Sequence, residues 1–567
     1  MEERVPVLVC GGSLVGLSAA AFLAWRGVPV LVVERREQTC VHPRAKAFSM
    51  RTAELLRQLG IEQEVRRCGP PGVAFTAGSS ELTVHTLAGA EISWQEAAMD
   101  PTFGQGDASP CRFLVCPQDV LEPILRDRAV ELGADVRFGT ELVDFEQDGA
   151  GVTARIRDLG DGAVTTVRAD YLIGADGPDS SVRAALGIGT HGVGTFQHDV
   201  SVLFDADLSV PLRGRKFFLC FVQHPEAKGV LSTDGRRWQY TKSYRPEAGE
   251  SPDQFTEQRC RQLVRTAVGV PDLELDVVDI QAWSMSAWVA SRMRQGRVFL
   301  AGDSAHVCPP AGGFGANTGI QDAYDLAWKL AHVLDGRAGA GLLDTYQDER
   351  LPVASFTVDQ SVARFVEHNS PAQAPAGERI SQVSHLAVTI GYRYRSAALP
   401  PCPPGDDAPC EVPGPPRGRP GTRVPHAWLE HGGASVSTVE LAGRTFALLA
   451  GPAADRWGKA AEVVAGRLGV DVDVHHLPAT AAPGAEEQHG AAGRRGEDAG
   501  SRDGRAQGEQ VLGALGLDEG GALLMRPDAF VTWTSPVRCL DPEAELHRAL
   551  ARALARPEQP AALPTSP

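Results

Sequence analysis

The chain opens on an uncharged apolar run over 5–10, the pattern of a strand buried on both faces. A helical period follows, with Leu17, Ala20, Ala21, Leu23 and Ala24 on one face, and Gly27 ends it. A second continuous run covers 28–33, so residues 5–34 read as a β-α-β unit. Helical patterns recur over 49–67, carried by Leu55, Leu56, Leu59 and Ile61, and over 117–132. A third covers 317–335, with Ile320, Ala323, Ala327, Leu330, Ala331 and Leu334 in step. Strands are expected at 135–138, 151–157, 164–173 and 297–301. From about 190 to 290 the pattern changes. Short β-like runs at 200–205, 216–223 and 237–243, with a helix near 252–268, predict an antiparallel sheet.

Residues 396–424 are dense in Pro and Gly and read as a linker. Beyond them, 445–450, a helix at 453–468, 470–476 and 522–533 outline a small α/β domain. Residues 479–510 are polar and low in complexity, with too little apolar area to order themselves, and are expected to be a mobile insertion.

With 567 residues, two or three domains are expected. A net charge of −16 disfavours a nucleic-acid partner, which calls for a basic surface. The scarcity of Lys beside Arg, with much Ala, Gly and Pro, suggests a high-GC bacterial genome. The 11 cysteines are scattered singly with no CxxC, which fits reduced thiols in a cytoplasmic protein and no metal site. No signal peptide or bilayer-length apolar run is read, so no membrane partner is expected.

Three loops carry the chemistry. Gly11, Gly12, Ser13, Leu14, Val15 and Gly16 link strand to helix, and Glu34 ends the next strand. This matches a dinucleotide loop in which Ser13 takes the middle glycine position. Gly302-Asp303 follows an apolar strand and precedes a Pro/Gly-rich loop, Pro309 to Gly315, that opens a helix at Asn317. A carboxylate there suits a sugar hydroxyl, and a helix N-terminus suits negative charge. Asp176-Gly177 after the 164–173 strand is, alone, a common turn. All three in this order read as an FAD site.

That order resembles the group A flavoprotein monooxygenases, the para-hydroxybenzoate hydroxylase fold. His42-Pro-Arg-Ala45 with Arg51-Thr-Ala-Glu-Leu-Leu56 is similar to a segment beside the isoalloxazine. Gln118-Asp-Val-Leu-Glu-Pro123 is similar to the helix whose Gln reaches FAD. Asp322-Ala-Tyr-Asp-Leu-Ala-Trp-Lys-Leu330, Gly391-Tyr-Arg-Tyr-Arg-Ser396 and Gly421-Thr-Arg-Val-Pro-His426 resemble the aromatic polyketide hydroxylases. The chain departs from the family pattern at Ser13, at Phe314, where Gln is common, and at Asp325, where Asn is usual.

The resemblance implies an α/β chain. A Rossmann-like FAD-binding domain (1–74, 111–189 and 291–395) would interleave with a mostly antiparallel β-sheet substrate domain (75–110 and 190–290). The 396–424 linker would lead to a thioredoxin-like domain without CxxC (425–556). It also implies non-covalent FAD, NADPH and O2 as co-substrates, and hydroxylation of a polycyclic aromatic polyketide through a C4a-hydroperoxyflavin, by a monomer or homodimer. Glu34 and Asp303 are assigned to flavin sugar hydroxyls and Gln118 to the cofactor chain. Asn317 and the 315–318 N–H groups are assigned to the pyrimidine edge. Gly11, Ser13, Leu14, Val15, Gly16, Arg35, Asp176, Gly302 and Gly315 complete the cofactor set. Arg44 lies beside the flavin by resemblance, to aid its reduction or hold a phenolate, and Arg393 near the substrate. These two are the candidate catalytic residues, and no dedicated general base is read.

Phe217, Phe218, Phe221, Trp238, Tyr240, Trp283 and Trp288 are candidates to stack on a planar substrate, while His198 and His224 are expected to be structural or exposed. Baeyer–Villiger insertion, epoxidation or oxidative rearrangement stays open on the same scaffold. So does a flavin-binding protein without oxygenase turnover. A flavin-free NAD dehydrogenase is disfavoured by the Gly302-Asp303 loop.

Overall fold

The continuous apolar runs form the centre of a sheet. The computed structural model describes residues 2–69, 80–96, 108–369, 380–411, 418–431, 434–477 and 508–556. Strand Glu2–Cys10 lies between Val164–Gly174 and Val30–Glu34, parallel to both. Val298–Leu300 adds in parallel beyond Val164–Gly174, and Asp135–Phe138 beyond Val30–Glu34. Cys10 stands opposite Gly174 and Val33, and Gly174 opposite Leu300. The glycine loop, Glu34, Asp176 and Gly302 therefore leave the sheet at one carboxyl edge, where parallel sheets bind ligands. Helix Leu14–Trp25 packs against Gln118–Glu131 and Gly315–Leu334.

The expected helix over 49–67 is two helices, Met50–Gln58 and Glu62–Cys68, because Gly60 at φ +78° turns the chain left-handed between them. The 522–533 run is a hairpin, Ala522–Met525 with Val531–Ser535, turning near Ala529 at φ +63°. Helix Asp344–Asn369 has no counterpart in the apolar periodicity, being interrupted by Gln347, Asp348, Glu349, Arg350 and Pro352.

A second sheet runs in the order His306–Val307, Asp276–Ala290, Thr190–Asp205, Trp238–Tyr244, Gly229–Thr233, Leu219–Val222, Ser80–Val84, Glu91–Glu96. Its pairings are antiparallel except Leu219–Val222 with Ser80–Val84. One face is apolar: Val200, Val202, Phe204, Leu231 and Tyr240 pack in one core with Cys260, Leu263, Val264 and Ala267 of helix Glu257–Val268. The other face is polar, since register aligns Gln281 with Ser201 and Ser201 with Thr241.

The C-terminal part holds a four-stranded sheet, ordered Val472–His476, Phe446–Ala450, Ala522–Met525, Val531–Ser535, with helices Asp455–Leu468 and Pro542–Ala553 in its core. Arg526, fully buried, donates to Glu349 at 2.7 and 3.0 Å and fastens this part to helix Asp344–Asn369. Arg423 reaches Glu54 at 3.1 Å, and Val424 beside it is buried. Residues 479–507 of the expected insertion lie outside the described residues, as do 75–79, 97–107 and 412–417. All 11 cysteines are unpaired. Among the described residues no helix is long and apolar enough to cross a membrane.

Candidate active site

The first loop is shaped by close backbone approach. Gly11 has φ +110°, and a Cβ there would lie 2.3 Å from the Ala175 carbonyl oxygen. A Cβ on Gly16 would lie 1.8 Å from the Gly11 carbonyl oxygen. Glu34 accepts from the Gly12 N–H at 2.7 Å, so the acid of the second strand sits against the loop. Ser13 donates to Glu122 at 2.5 Å. That carboxylate also accepts from the Leu14 N–H at 3.2 Å, the Gln118 amide at 2.7 Å and the Cys40 N–H at 2.7 Å. An acid from the neighbouring helix thus meets the N-terminus of helix Leu14–Trp25, where the dipole favours negative charge.

The second loop is held by buried ions. The Gly302 N–H donates to Asp322 at 3.1 Å. Asp322 also pairs with His306 at 2.7 Å and with Arg350 at 2.7 Å, and both Asp322 and Arg350 are fully buried. Desolvation would raise the Asp322 carboxyl, but the Arg350 guanidinium and the His306 contact hold it below the ordinary range. Val15 joins the loops: a Cβ on Gly302 or on Gly319 would lie 2.6 Å from its Cγ2. Arg183 links the Asp176 turn to the same place by donating to the Ser304 carbonyl at 3.0 Å.

Asp303 keeps an accessible side chain. Desolvation pushes its carboxyl above the ordinary range, opposed by the charges of His306 and Arg44. Arg44 is exposed, and its Nε donates to Gln281 on the second sheet at 3.1 Å. Along the same segment His42 pairs with Asp279 at 3.0 Å, and Lys46 donates to Ser232 at 3.2 Å. Alternate residues 42, 44 and 46 therefore span from the cofactor side to the polar face of the second sheet. Burial lowers the His42 imidazole and brings the Lys46 ammonium down to about 8.

The other expected site residues spread more widely. Gln118 bonds Ser13, Glu122 and the Ala45 N–H, bridging loop and segment. Asn317 accepts from the Ser49 N–H at 2.8 Å and Thr52 at 2.7 Å and donates to the Gly313 carbonyl, so its side chain braces the loop. Only backbone N–H groups of 315–317 remain at that helix start, since the Thr318 N–H returns to Phe314. Asp176 accepts from Ser180, Ser181 and the Val182 N–H, capping helix Ser181–Ala185. Arg35 is exposed just past Glu34. Gly315 sits against Cys308, its would-be Cβ 3.4 Å from Sγ.

Arg393 forks onto both oxygens of Asp406, at 2.5 and 2.8 Å, and is 6% exposed, which commits its donors to an ion pair. Phe314 is 1% exposed and stacks on His385 at 5.1 Å, with the Arg364 guanidinium 5.1 Å from its ring, so its stacking partners are internal. The sheet register sorts the aromatics. Phe217, Trp238 and Tyr240 join the apolar core, and Trp283 shares the polar face with Gln281. Glu122, His306 and Arg350 were not singled out as site residues. Glu122 stood inside the Gln118 motif and Asp322 opened another, whereas Arg350 had no local signal.

Residues 4–361 match the FAD binding domain family, and residues 417–557 match the C-terminal domain of aromatic-ring hydroxylases. The chain is 42% identical to a tetracenomycin A2 monooxygenase-dioxygenase of Streptomyces glaucescens, over 98% of this chain and 97% of that protein. It is 40% identical to an aklavinone 12-hydroxylase of Streptomyces purpurascens, over 98% of this chain and 100% of the relative. Among solved structures, aklavinone-11 hydroxylase in complex with FAD and aklavinone superposes with a TM-score of 0.83 at 39% identity, covering 98% of this chain and 99% of that one. The substrate-free rebeccamycin biosynthetic enzyme gives 0.73 at 29%, covering 98% and 99%.

Proposed function

The chain belongs to the FAD-binding aromatic-ring hydroxylases and is a flavin-dependent monooxygenase; from that premise we propose that it hydroxylates a polycyclic aromatic polyketide in antibiotic biosynthesis, using NADPH and O2 in the cytoplasm. The observation that carries the reading is Arg44. Its charge acts on Asp303 beside the Gly302 turn and its Nε bonds Gln281 on the second sheet, which supports a site shared between the two.

The residues fit FAD. No Cβ fits at Gly11, Gly12 or Gly16, and such a loop permits a pyrophosphate to approach its backbone. Glu34 and Asp303 supply acceptors for sugar hydroxyls at two ends of one sheet edge. When bound, FAD supplies the redox and oxygen-activating chemistry. The protein's part is to hold, orient and exclude. The free N–H groups of 315–317 favour negative charge at the start of helix Gly315–Leu334, by roughly 1–2 kcal/mol in a partly buried place. Arg44, exposed and bonded to Gln281 on the second sheet, would offer its guanidinium to a phenolate. Asp322 and Arg350 keep the Gly302 turn fixed while substrates exchange.

Insertion or rearrangement on the same scaffold is the competing outcome, favoured by the combined monooxygenase-dioxygenase naming of a 42% identical relative. The test mixes the FAD-loaded protein with NADPH, O2 and anthracyclinone, tetracenomycin and angucyclinone precursors. One added oxygen on an aromatic carbon is expected. Ring opening or lactone formation shifts the reading to the competing outcome, and failure to take up FAD removes it.

A further inference from the structure

The polar face of the second sheet carries one aromatic ring held in an unusual way. On strand Asp276–Ala290, alternation places Asp279, Gln281 and Trp283 on one face. The first two are the residues that meet His42 and Arg44, so Trp283 stands on the side that faces the cofactor domain. Its indole N–H donates to Ser201 Oγ at 3.0 Å. Gln239 Nε2 donates to the same oxygen at 3.1 Å. Two N–H donors occupy both lone pairs of Ser201, so its proton goes to Thr241 Oγ1, 2.9 Å away. Ser201 is 2% exposed, which protects this node from water.

Neighbouring rings are treated differently. Trp238 lies against Phe217 in the apolar core, and Trp288 is covered by the Arg183 guanidinium 4.6 Å from its ring. Trp283 is half-buried, and among the described residues its ring stacks on no other ring. A large aromatic surface is thus fixed by one hydrogen bond at its edge, beside an amide and a guanidinium. That combination suits a flat ring system with oxygens along one side: the face stacks, and Gln281 and Arg44 meet the oxygenated edge.

We infer that Trp283 is the platform on which the planar rings of the substrate stack, and that Ser201 is the positioning residue that sets its angle. The inference rests on the reading of the preceding section and adds the residues that select the substrate's shape. The test titrates the FAD-loaded enzyme with quinizarin, a flat dihydroxyanthraquinone. Trp283→Leu is expected to weaken binding about tenfold and Trp283→Phe, which keeps a ring face, about threefold, with FAD content unchanged. Ser201→Ala is expected to raise KM about threefold with kcat nearly kept. It should also shift the Trp283 emission, obtained as the difference from a Trp283→Phe partner, and Ser201→Thr should restore both.

Binding within twofold of the parent in both Trp283 variants overturns the platform and leaves the hydroxylase reading standing. If Trp283→Leu fails to load FAD, Trp283→Phe alone decides. A parent enzyme that binds neither quinizarin nor any polyphenol in the precursor panel overturns both readings together.

Discussion

The two glycine-rich loops at the sheet edge do similar jobs by different physics. The Gly11–Gly16 loop is shaped by what is missing: side chains that would strike the Gly11 carbonyl, the Ala175 carbonyl or Glu34. The loop after Gly302 is shaped by what lies behind it, a buried Asp322 shared between His306 and Arg350. Local sterics fix the first, and a long-range charge network fixes the second. Damage to the second should therefore spread to the fold, and damage to the first should stay near the cofactor.

The largest effect is expected at Arg350. Replacing it with Met leaves Asp322 buried with only His306 to answer its charge, and removes the bonds to the Thr318 carbonyl and the Tyr394 hydroxyl. Breaking a buried pair in this way costs about 3–5 kcal/mol. Urea unfolding followed by far-UV CD should show that loss. A change below about 1 kcal/mol would mean that the charge network does not hold the second loop.

Next comes Gly16→Ala. Its Cβ would meet backbone rather than a movable side chain, so the loop must shift. About 1–3 kcal/mol of overpacking is expected, with a marked fall in FAD affinity by fluorescence titration. Retained FAD affinity would show that the first loop has more freedom than its contacts imply.

The network behind the second loop should also answer to pH. Asp325 lies on the same helix as Asp322, paired with Lys329 at 2.7 Å, and burial pushes its carboxyl up to about 7 from 3.8, with Lys329 opposing. A raised folded value means that the folded state keeps a proton the unfolded chain gives up. That stabilisation is full below 3.8 and is lost as pH rises through about 7. Asp325→Asn has no proton to lose. Its stability relative to the parent should therefore improve as pH rises from 4 to 7 and then level off. A gap that stays flat over that range would remove the pH argument.

The same division explains what the sequence disclosed. Gly11, Gly16, Glu34 and Gly302 were legible because strand ends, turns and close approaches are encoded within a few residues. Arg350 was not, because it acts from a helix broken by Pro352 and polar residues, and its partner is 28 positions away. The second sheet shows the boundary most clearly. Its strands were visible as short runs, but seven aromatics stayed equivalent until register placed Trp283 on the polar face and Trp238 and Tyr240 in the core. Phe314 was visible only as a departure from the family pattern, and its ring lies between His385 and Arg364, brought there by segments 50 or more positions away.

The smallest effect is expected at Glu122, which tests whether the first loop is steric alone. Its carboxylate gathers Ser13, Leu14, Cys40 and Gln118, so a charge does reach this loop from the neighbouring helix. Glu122→Gln keeps the shape, one acceptor oxygen and most of the packing. It gives up the charge-assisted share of four bonds and the attraction of an anion to a helix N-terminus, about 1 kcal/mol of stability in all. A pyrophosphate approaching the same helix start would itself be anionic. A neutral side chain at 122 lowers the repulsion it meets, so FAD affinity should hold or rise slightly while the melting temperature falls. If stability and FAD affinity drop together, Glu122 is part of the cradle, and the first loop, like the second, depends on a distant charge.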